Sequence, residues 1–328
     1  MKLGTLLLAN NLILAPMLQV STSPYRRFCR RFGKIGLVSV PMLYTKRLEK
    51  SPSTVLMNLN KIEEERPISV QLIGSDLNAL KHSIDFLESY KFDVLDLNAG
   101  CPSKRAIKAQ EGGYLLKDLT KLTTLIDVAV KHSSRPVSLK IRIGFDNSNG
   151  IDKLVNIINN SGLEFLTVHG RTVRDRYNNT TLNLEAVKKI KSLLKIPVVG
   201  NGSVFNPKMA QKFLELTDVD ALMIGRGSMG NPEIFKQIAH FLKEGSHQIT
   251  ENSMKKMREY IKLYEQCVNT YLDNNISIPY PSIKYKFMEL RRNLIWFSKN
   301  VPNSTELRIA ISKTKNLEEL DKIINSLN

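Results

Sequence analysis

Short β-rich apolar runs recur along the first two thirds of the chain, and most are followed by a stretch with helical spacing of apolar positions. The runs are Leu12–Ala15, Gly36–Val40, Ile68–Ile73, Val94–Asn98, Val137–Ile143, Phe165–Val168, Pro197–Gly200 and Ala221–Ile224. Among the helical patterns, Leu77, Leu80, Ile84 and Leu87 share one face, with Ser75 read as the N-cap. Alternation of this kind means parallel strands joined by helical crossovers. Eight such units fit a (β/α)8 TIM barrel better than an open doubly wound sheet. No Gly-x-Gly-x-x-Gly follows an early strand run, which weakens the dinucleotide-binding alternative.

From about Asn231 the rhythm stops. Ser253–Asp273 and Tyr280–Phe297 read as helices, with Pro279 and Pro281 marking a break, and Leu307–Asn328 reads as one or two more. The expected organisation is therefore a barrel over residues 1–240 followed by an all-helical domain over 241–328. Met1–Leu18 is broken by Asn10 and Asn11 and lacks a cleavage-site pattern, so it is expected to form a β-hairpin rather than an export leader. No run approaches the ~18 apolar residues of a membrane span.

Charge narrows the partners. The chain carries a net charge of +17, of which +4 lies on residues 241–328. A chain this basic is expected to meet a polyanion, nucleic acid first. Arg26, Arg27, Arg30, Arg31 and Lys34, interleaved with Tyr25 and Phe28, read as one basic helix face, suited either to phosphates or to solvent. The three cysteines, Cys29, Cys101 and Cys267, have no metal-ligand spacing and cannot all pair. With no export signal, a reducing cytoplasm is the expected location.

In such barrels the reactive groups cluster at the carboxyl ends of the strands. Those ends read Pro16-Met17, Gln71, Asn98 with Cys101, Lys140 with Arg142, His169, Asn201-Gly202 and Gly225-Arg226. The glycine turns after the seventh and eighth runs, Asn201-Gly202-Ser203 and Gly225-Arg226-Gly227, fit the usual phosphate site, where backbone N–H groups approach an anion and an arginine can add a charge-assisted bond. Lys140, inside a strand run, must point into the barrel or find a charged partner, because an unpaired buried ammonium is costly. His169 shares that layer and is expected at a cofactor. The remaining histidines, His82, His132, His240 and His247, form no metal-ligand pattern, and no metal is expected. Cys101, just past a strand and ahead of Pro102-Ser103, is positioned for chemistry, although a small buried thiol is the plain alternative.

These segments together resemble the tRNA-dihydrouridine synthases. The resemblance runs from about Leu12 to the C-terminus. It rests on Ala15-Pro16-Met17, Val70-Gln71-Leu72, Leu97-Asn98-Ala99-Gly100-Cys101-Pro102-Ser103, Leu139-Lys140-Ile141-Arg142, Val168-His169-Gly170-Arg171-Thr172, Gly200-Asn201-Gly202 and Ile224-Gly225-Arg226-Gly227. It implies FMN at the barrel mouth, held by Pro16, Met17, Leu18, Gln71, Lys140, His169, Asn201, Gly202, Ser203, Gly225 and Arg226. It implies NADPH or NADH as reductant, tRNA as substrate, and Cys101 as the acid that protonates uracil C5 while hydride reaches C6. Asn98, Lys104, Arg142 and Arg171 are then expected at the substrate. Arg291 and Arg292, in the basic-aromatic helix Leu290–Phe297, are expected at RNA phosphates, with Trp296 in the core. The chain departs from the family at Leu18-Gln19, where Ala-Gly is usual, at Val40-Pro41, where Thr-Glu is usual, and at Gln110, where glycine is common. Asn293 and Phe297 stand near positions often held by His and Tyr.

Three other readings stay open on the residues alone. One is a flavin oxidoreductase of free pyrimidines, of the dihydroorotate or dihydropyrimidine dehydrogenase kind. A second is an RNA-binding protein with a vestigial barrel. The third is an aldolase or isomerase barrel in which Lys140 forms a Schiff base.

Overall fold

The structure, a computed structural model, describes residues 1–246, 254–274, 278–299 and 301–327. His247, Ser253 and Asn328, which belonged to sequence expectations, lie outside the described residues. Eight parallel strands form the barrel: β1 (Leu12–Leu14), β2 (Val38–Ser39), β3 (Ile68–Ile73), β4 (Val94–Ala99), β5 (Val137–Arg142), β6 (Phe165–His169), β7 (Val198–Asn201) and β8 (Ala221–Ile224). From β2 to β8 each strand pairs with the next in sequence. β8 then pairs with β1 through Leu222↔Leu12 to Ile224↔Leu14. The parallel bridge Ile13↔Leu37, with Leu14 N donating to Leu37 O at 2.9 Å, closes the circle. The expected TIM barrel is the observed fold.

Strand alternation gives the barrel two chemically different faces. Leu95, Leu97, Leu139, Ile141, Leu166 and Val168 point outward and join the large core beneath the helices. The intervening positions point inward. At the amino ends of the strands the inner residues are apolar, including Leu37, Val94, Phe165, Val199 and Ala221. The hairpin Lys2–Leu3/Leu6–Leu7 closes that end, burying Leu3 and Leu8 in the same cluster. Its turn at Gly4 (φ +62) lies so close to Glu164 that a Cβ would collide with the carboxylate, and Thr5 N donates to Glu164 Oε2 at 2.8 Å. With the amino end plugged by hydrocarbon, the polar inner positions are left to the carboxyl end.

Two local expectations are corrected. The cap of the helix Leu77–Glu88 is Asp76 rather than Ser75: its carboxylate accepts from Asn78 N and Ala79 N, both at 3.1 Å. The basic run is not one solvated, phosphate-binding face: Arg31 and Lys34 are exposed, whereas the other arginines of the helix Ser23–Arg31 turn inward. Arg26 is fully buried against Glu65 at 2.5 Å, and Arg27 is buried with a bond to Cys267 O. Arg30 donates to Ile35 O and Pro67 O, and Arg31 to Gln266. Beside an acidic turn (Glu63–Glu65) the helix pairs Arg26 and Arg27 with Glu65 and Glu64.

The same helix carries the C-terminal helices. Phe28 packs against Tyr260, Tyr264 and Phe297 with ring centroids 5.2–5.9 Å apart. The helices Met254–Asp273, Ser282–Phe297, Ser304–Lys313 and Leu317–Ser326 follow, and their apolar residues continue the outer barrel core without a break. Among the described residues no helix is long and apolar enough to cross a membrane.

Candidate active site

The carboxyl ends of the strands surround a cavity of about 460 Å³, within the ~300–1,000 Å³ of ligand sites. Three adjacent strands furnish one wall. Gln71 on β3 lies opposite Asp96 on β4, which lies opposite Ser138 on β5. One level nearer the mouth, Asn98 lies opposite Lys140. Gln71, Asn98 and Lys140 line the cavity.

Lys140 is a cation short of an anion. Its Nζ donates to Asn201 Oδ1 at 3.1 Å, and Asn201 is itself fixed by donating to Met223 O at 2.7 Å. Among the described residues no carboxylate lies within ion-pair distance of it. Burial, then the neighbouring Arg142 cation, lower its pKa from 10.5 to about 8, against the opposing pull of Asp96. His169, buried at the end of β6, is held neutral by burial and by Lys140, Arg142, Arg171 and Arg226. Arg171 Nη1 lies 3.1 Å from His169 Nε2. A guanidinium can only donate, so Nε2 is the acceptor and the ring proton belongs on Nδ1.

Two loops complete the opposite wall. Asn201, Gly202 and Ser203 line the cavity, with Gly202 at φ +132 and Ser203 at φ +52. A Cβ on Gly202 would come within 3.0 Å of His169 Cδ2 and 2.8 Å of Leu182 Cδ1, so glycine keeps this backbone close to the ring. Gly225 and Arg226 also line the cavity and open the turn Arg226–Ser228, whose first N–H groups have no partner within the turn. Arg226 is exposed, its guanidinium 5.5 Å from the rings of both Tyr177 and Phe205.

Cys101 sits on the rim beyond β4. Its Sγ lies 3.4 Å from Ser103 Oγ, and its main-chain N donates to Asn98 Oδ1 at 2.9 Å. The glycines of the next loop press against it: Gly113 N donates to Cys101 O at 3.0 Å, and a Cβ on Gly112 would meet Cys101 Cβ at 2.9 Å. Cys29 and Cys267 are buried, whereas Cys101 is partly exposed and lines the cavity.

The predicted residues divide into three groups. Pro16, Met17 and Leu18 from the first strand end line the cavity beside those above, and Leu18 is largely exposed. Arg142 lines it too, but its guanidinium donates to Gly100 O and Thr172 O and lies 5.3 Å from the Tyr177 ring. Arg171 is fully buried, bonding Ser203 Oγ at 2.6 Å besides His169; it braces the wall and is closed to an incoming RNA. Lys104 is exposed at the start of the helix Lys104–Lys108, outside the cavity lining. Arg291 bonds Ile311 O and Ser312 O, and Arg292 pairs with Glu289, so both are occupied within the helical tail. Trp296 packs edge-on against Tyr25 with centroids 6.1 Å apart.

The sequence reading missed Asp96, Ser138 and Tyr177. The first two were findable: in Val94-Leu95-Asp96-Leu97-Asn98 and Val137-Ser138-Leu139-Lys140 they share the face of Asn98 and Lys140 by the two-residue period. Tyr177 is brought in by the loop after β6, which carries no such period.

Comparisons with known proteins give the family and the fold. A family model described as dihydrouridine synthase matches residues 13–327. A probable tRNA-dihydrouridine synthase of Rickettsia prowazekii is 31% identical over 317 residues, covering 96% of this chain and 93% of that protein. The tRNA-dihydrouridine synthase B of Pseudomonas aeruginosa is 37% identical over 248 residues, 75% of this chain and 74% of that protein. Among solved structures, a histamine dehydrogenase from Rhizobium superposes with TM-score 0.58 at 11% identity, over 81% of this chain and 50% of that one. A morphinone reductase mutant in complex with tetrahydroNAD gives 0.52 at 13% identity, over 76% and 90%. At such identities these two structures speak to the barrel alone.

Proposed function

The chain belongs to the dihydrouridine synthase family, and from that premise we propose that it reduces specific uridines of tRNA to 5,6-dihydrouridine, with FMN as cofactor and NADPH as reductant. The observation that carries this reading is the pairing of a partly buried Lys140, with no carboxylate at ion-pair distance among the described residues, with a rim thiol, Cys101, in one cavity at the strand carboxyl ends.

The cavity fits FMN. Asn201, Gly202, Ser203, Gly225 and Arg226 would hold the phosphate. Pro16, Met17, Leu18, Gln71, Lys140 and His169 would hold the ring system, Lys140 neutralising the charge that reduction adds. FMN held there would supply hydride chemistry toward uracil C6, with NADPH as the reductant. Cys101 then delivers a proton to C5 as general acid, which requires the target base to be turned out of its stack into the cavity. Asn98 holds the Cys101 main chain and faces the same space. Arg142 and Tyr177 form the wall against which the uracil would rest. Arg171 serves by bracing His169 and Ser203.

The test is mass spectrometry of tRNA after incubation with protein, FMN and NADPH. Wild-type protein should form dihydrouridine in tRNA and leave free uridine untouched. Cys101→Ala should keep its flavin and its NADPH oxidation while product formation falls by about 10²-fold or more. Full product yield from Cys101→Ala would refute the acid assignment, and an inactive wild type would refute the reaction itself.

A further inference from the structure

Asp96 is a buried carboxylate, 5% exposed, inside the barrel below the cavity. Nothing in the reaction above uses it. No cation lies within ion-pair distance of it among the described residues; burial raises its pKa above the ordinary 3.8, against the opposing pull of its Ser138 and Gln71 bonds and of Lys140 one level above. Burying such a group is costly unless its oxygens are satisfied. Here both are: Gln71 Nε2 donates to Oδ2 and Ser138 Oγ to Oδ1, each at 2.6 Å.

Those bonds have a direction that continues to the rim. Cys101 N donates to Asn98 Oδ1 at 2.9 Å, as does Gly100 N at 3.1 Å. Asn98 Nδ2 donates to Gln71 Oε1 at 2.8 Å, and Gln71 Nε2 donates to Asp96. Every link runs from N–H toward oxygen and ends on the one group in the series that only accepts. A primary amide can flip its oxygen and nitrogen at little intrinsic cost, so neither Gln71 nor Asn98 chooses its own orientation. The series is pinned at both ends: the carboxylate sets Gln71, and the N–H groups of Gly100 and Cys101 set Asn98. A flipped Gln71 would set its oxygen against the carboxylate. A flipped Asn98 would set its NH2 against the N–H of Cys101.

We propose that Asp96 is a positioning residue: it fixes which atom Gln71 turns toward Asn98 and, by keeping Gln71 Oε1 as the acceptor for Asn98 Nδ2, holds Asn98 and the Cys101 loop bonded to it in place. The proposal rests on the assignment of Cys101 and the cavity to the reaction, but it concerns a residue that touches neither substrate nor cofactor. It accounts for an unpaired carboxylate in the barrel interior, where a neutral residue would serve packing better.

Two sets of variants test it. Asp96→Leu removes the acceptor while keeping the branching of the side chain. The FMN-loaded variant should form dihydrouridine at least about tenfold more slowly at saturating tRNA, with the KM for tRNA little changed. Its Cys101 should also react with iodoacetamide at a rate altered several-fold, the other two cysteines being buried. Unchanged turnover together with unchanged alkylation would overturn the proposal. If Asp96→Leu does not fold, an exchange decides. Gln71→Glu alone sets two carboxylates face to face and should be severely impaired. Adding Asp96→Asn to Gln71→Glu gives the introduced carboxylate a donor and leaves Ser138 an acceptor. This double variant should recover the wild-type alkylation rate of Cys101, the readout that a carboxylate placed beside the flavin does not confound. No recovery in it would equally overturn the proposal. A wild type that makes no dihydrouridine sinks the reaction but not this assignment, which the alkylation rates still decide.

Discussion

At the scale of single residues, two of the family departures share a physical character. Gln19 and Gln110 stand where glycine is usual or common in the family this chain resembles, and both adopt left-handed backbone, φ +60 and +56. An L side chain there costs roughly 1–2 kcal/mol, partly offset because glycine loses more freedom on folding. Gln19→Gly and Gln110→Gly should therefore each stabilise the protein by about 0.5–1 kcal/mol. Denaturant midpoints check this; a loss of stability in both would show that the side chains make compensating contacts. Lys140 makes a second prediction. Its native pKa of about 8 lies below its ordinary 10.5, so between those values the folded state binds fewer protons than the unfolded one. Stability then rises with pH across that window, and the penalty is complete only below about pH 8. In ligand-free protein, wild type should gain on Lys140→Met between pH 7 and 9. A stability difference that stays constant with pH would contradict the burial of a charged amine.

At the scale of elements, the helix Ser23–Arg31 shows how far a charge pattern can mislead. Arg26 and Glu65 form a fully buried pair, and Glu65 also accepts from Ser23 Oγ and Ile62 N. Removing one partner strands the other charge in a dry site, so Arg26→Ala should cost about 3–5 kcal/mol. Replacing both, as Arg26→Met with Glu65→Leu, should cost far less. Urea unfolding of these single and double variants measures the difference, and equal losses would show that the pair is not the source. The strands carry the opposite lesson. In β4 and β5 the polar inner positions alternate with apolar outer ones, so the pleat alone delivers Asp96, Asn98, Ser138 and Lys140 to one interior.

At the scale of the whole molecule, the hairpin seals one end of the barrel with hydrocarbon and leaves a polar cavity at the other. The helical tail is fused to the barrel through Phe28 and its aromatic neighbours rather than tethered to it. The net charge of +17 counts arginines held in the interior, such as Arg27, Arg142 and Arg171, so several of the cations that looked most like an RNA footprint are not on the surface. Binding to tRNA should weaken steeply with salt, the logarithm of affinity falling linearly with the logarithm of salt concentration. A flat response in a filter-binding titration would mean that the remaining surface charge is not the footprint.

By itself the sequence determined the eightfold strand–helix alternation, the helical C-terminal part, and the strand-end residues that gather at one mouth. These follow from periodicity and from the rule that parallel strands expose their carboxyl ends together, which are local or topological facts. Only the tertiary structure decided that Arg26, Arg27 and Arg171 face inward, that Asp76 rather than Ser75 caps its helix, and that Asp96 ends a chain of hydrogen bonds reaching Cys101. Which oxygen a guanidinium or an amide finds depends on groups far away in the chain, brought within hydrogen-bonding reach only when the barrel closes.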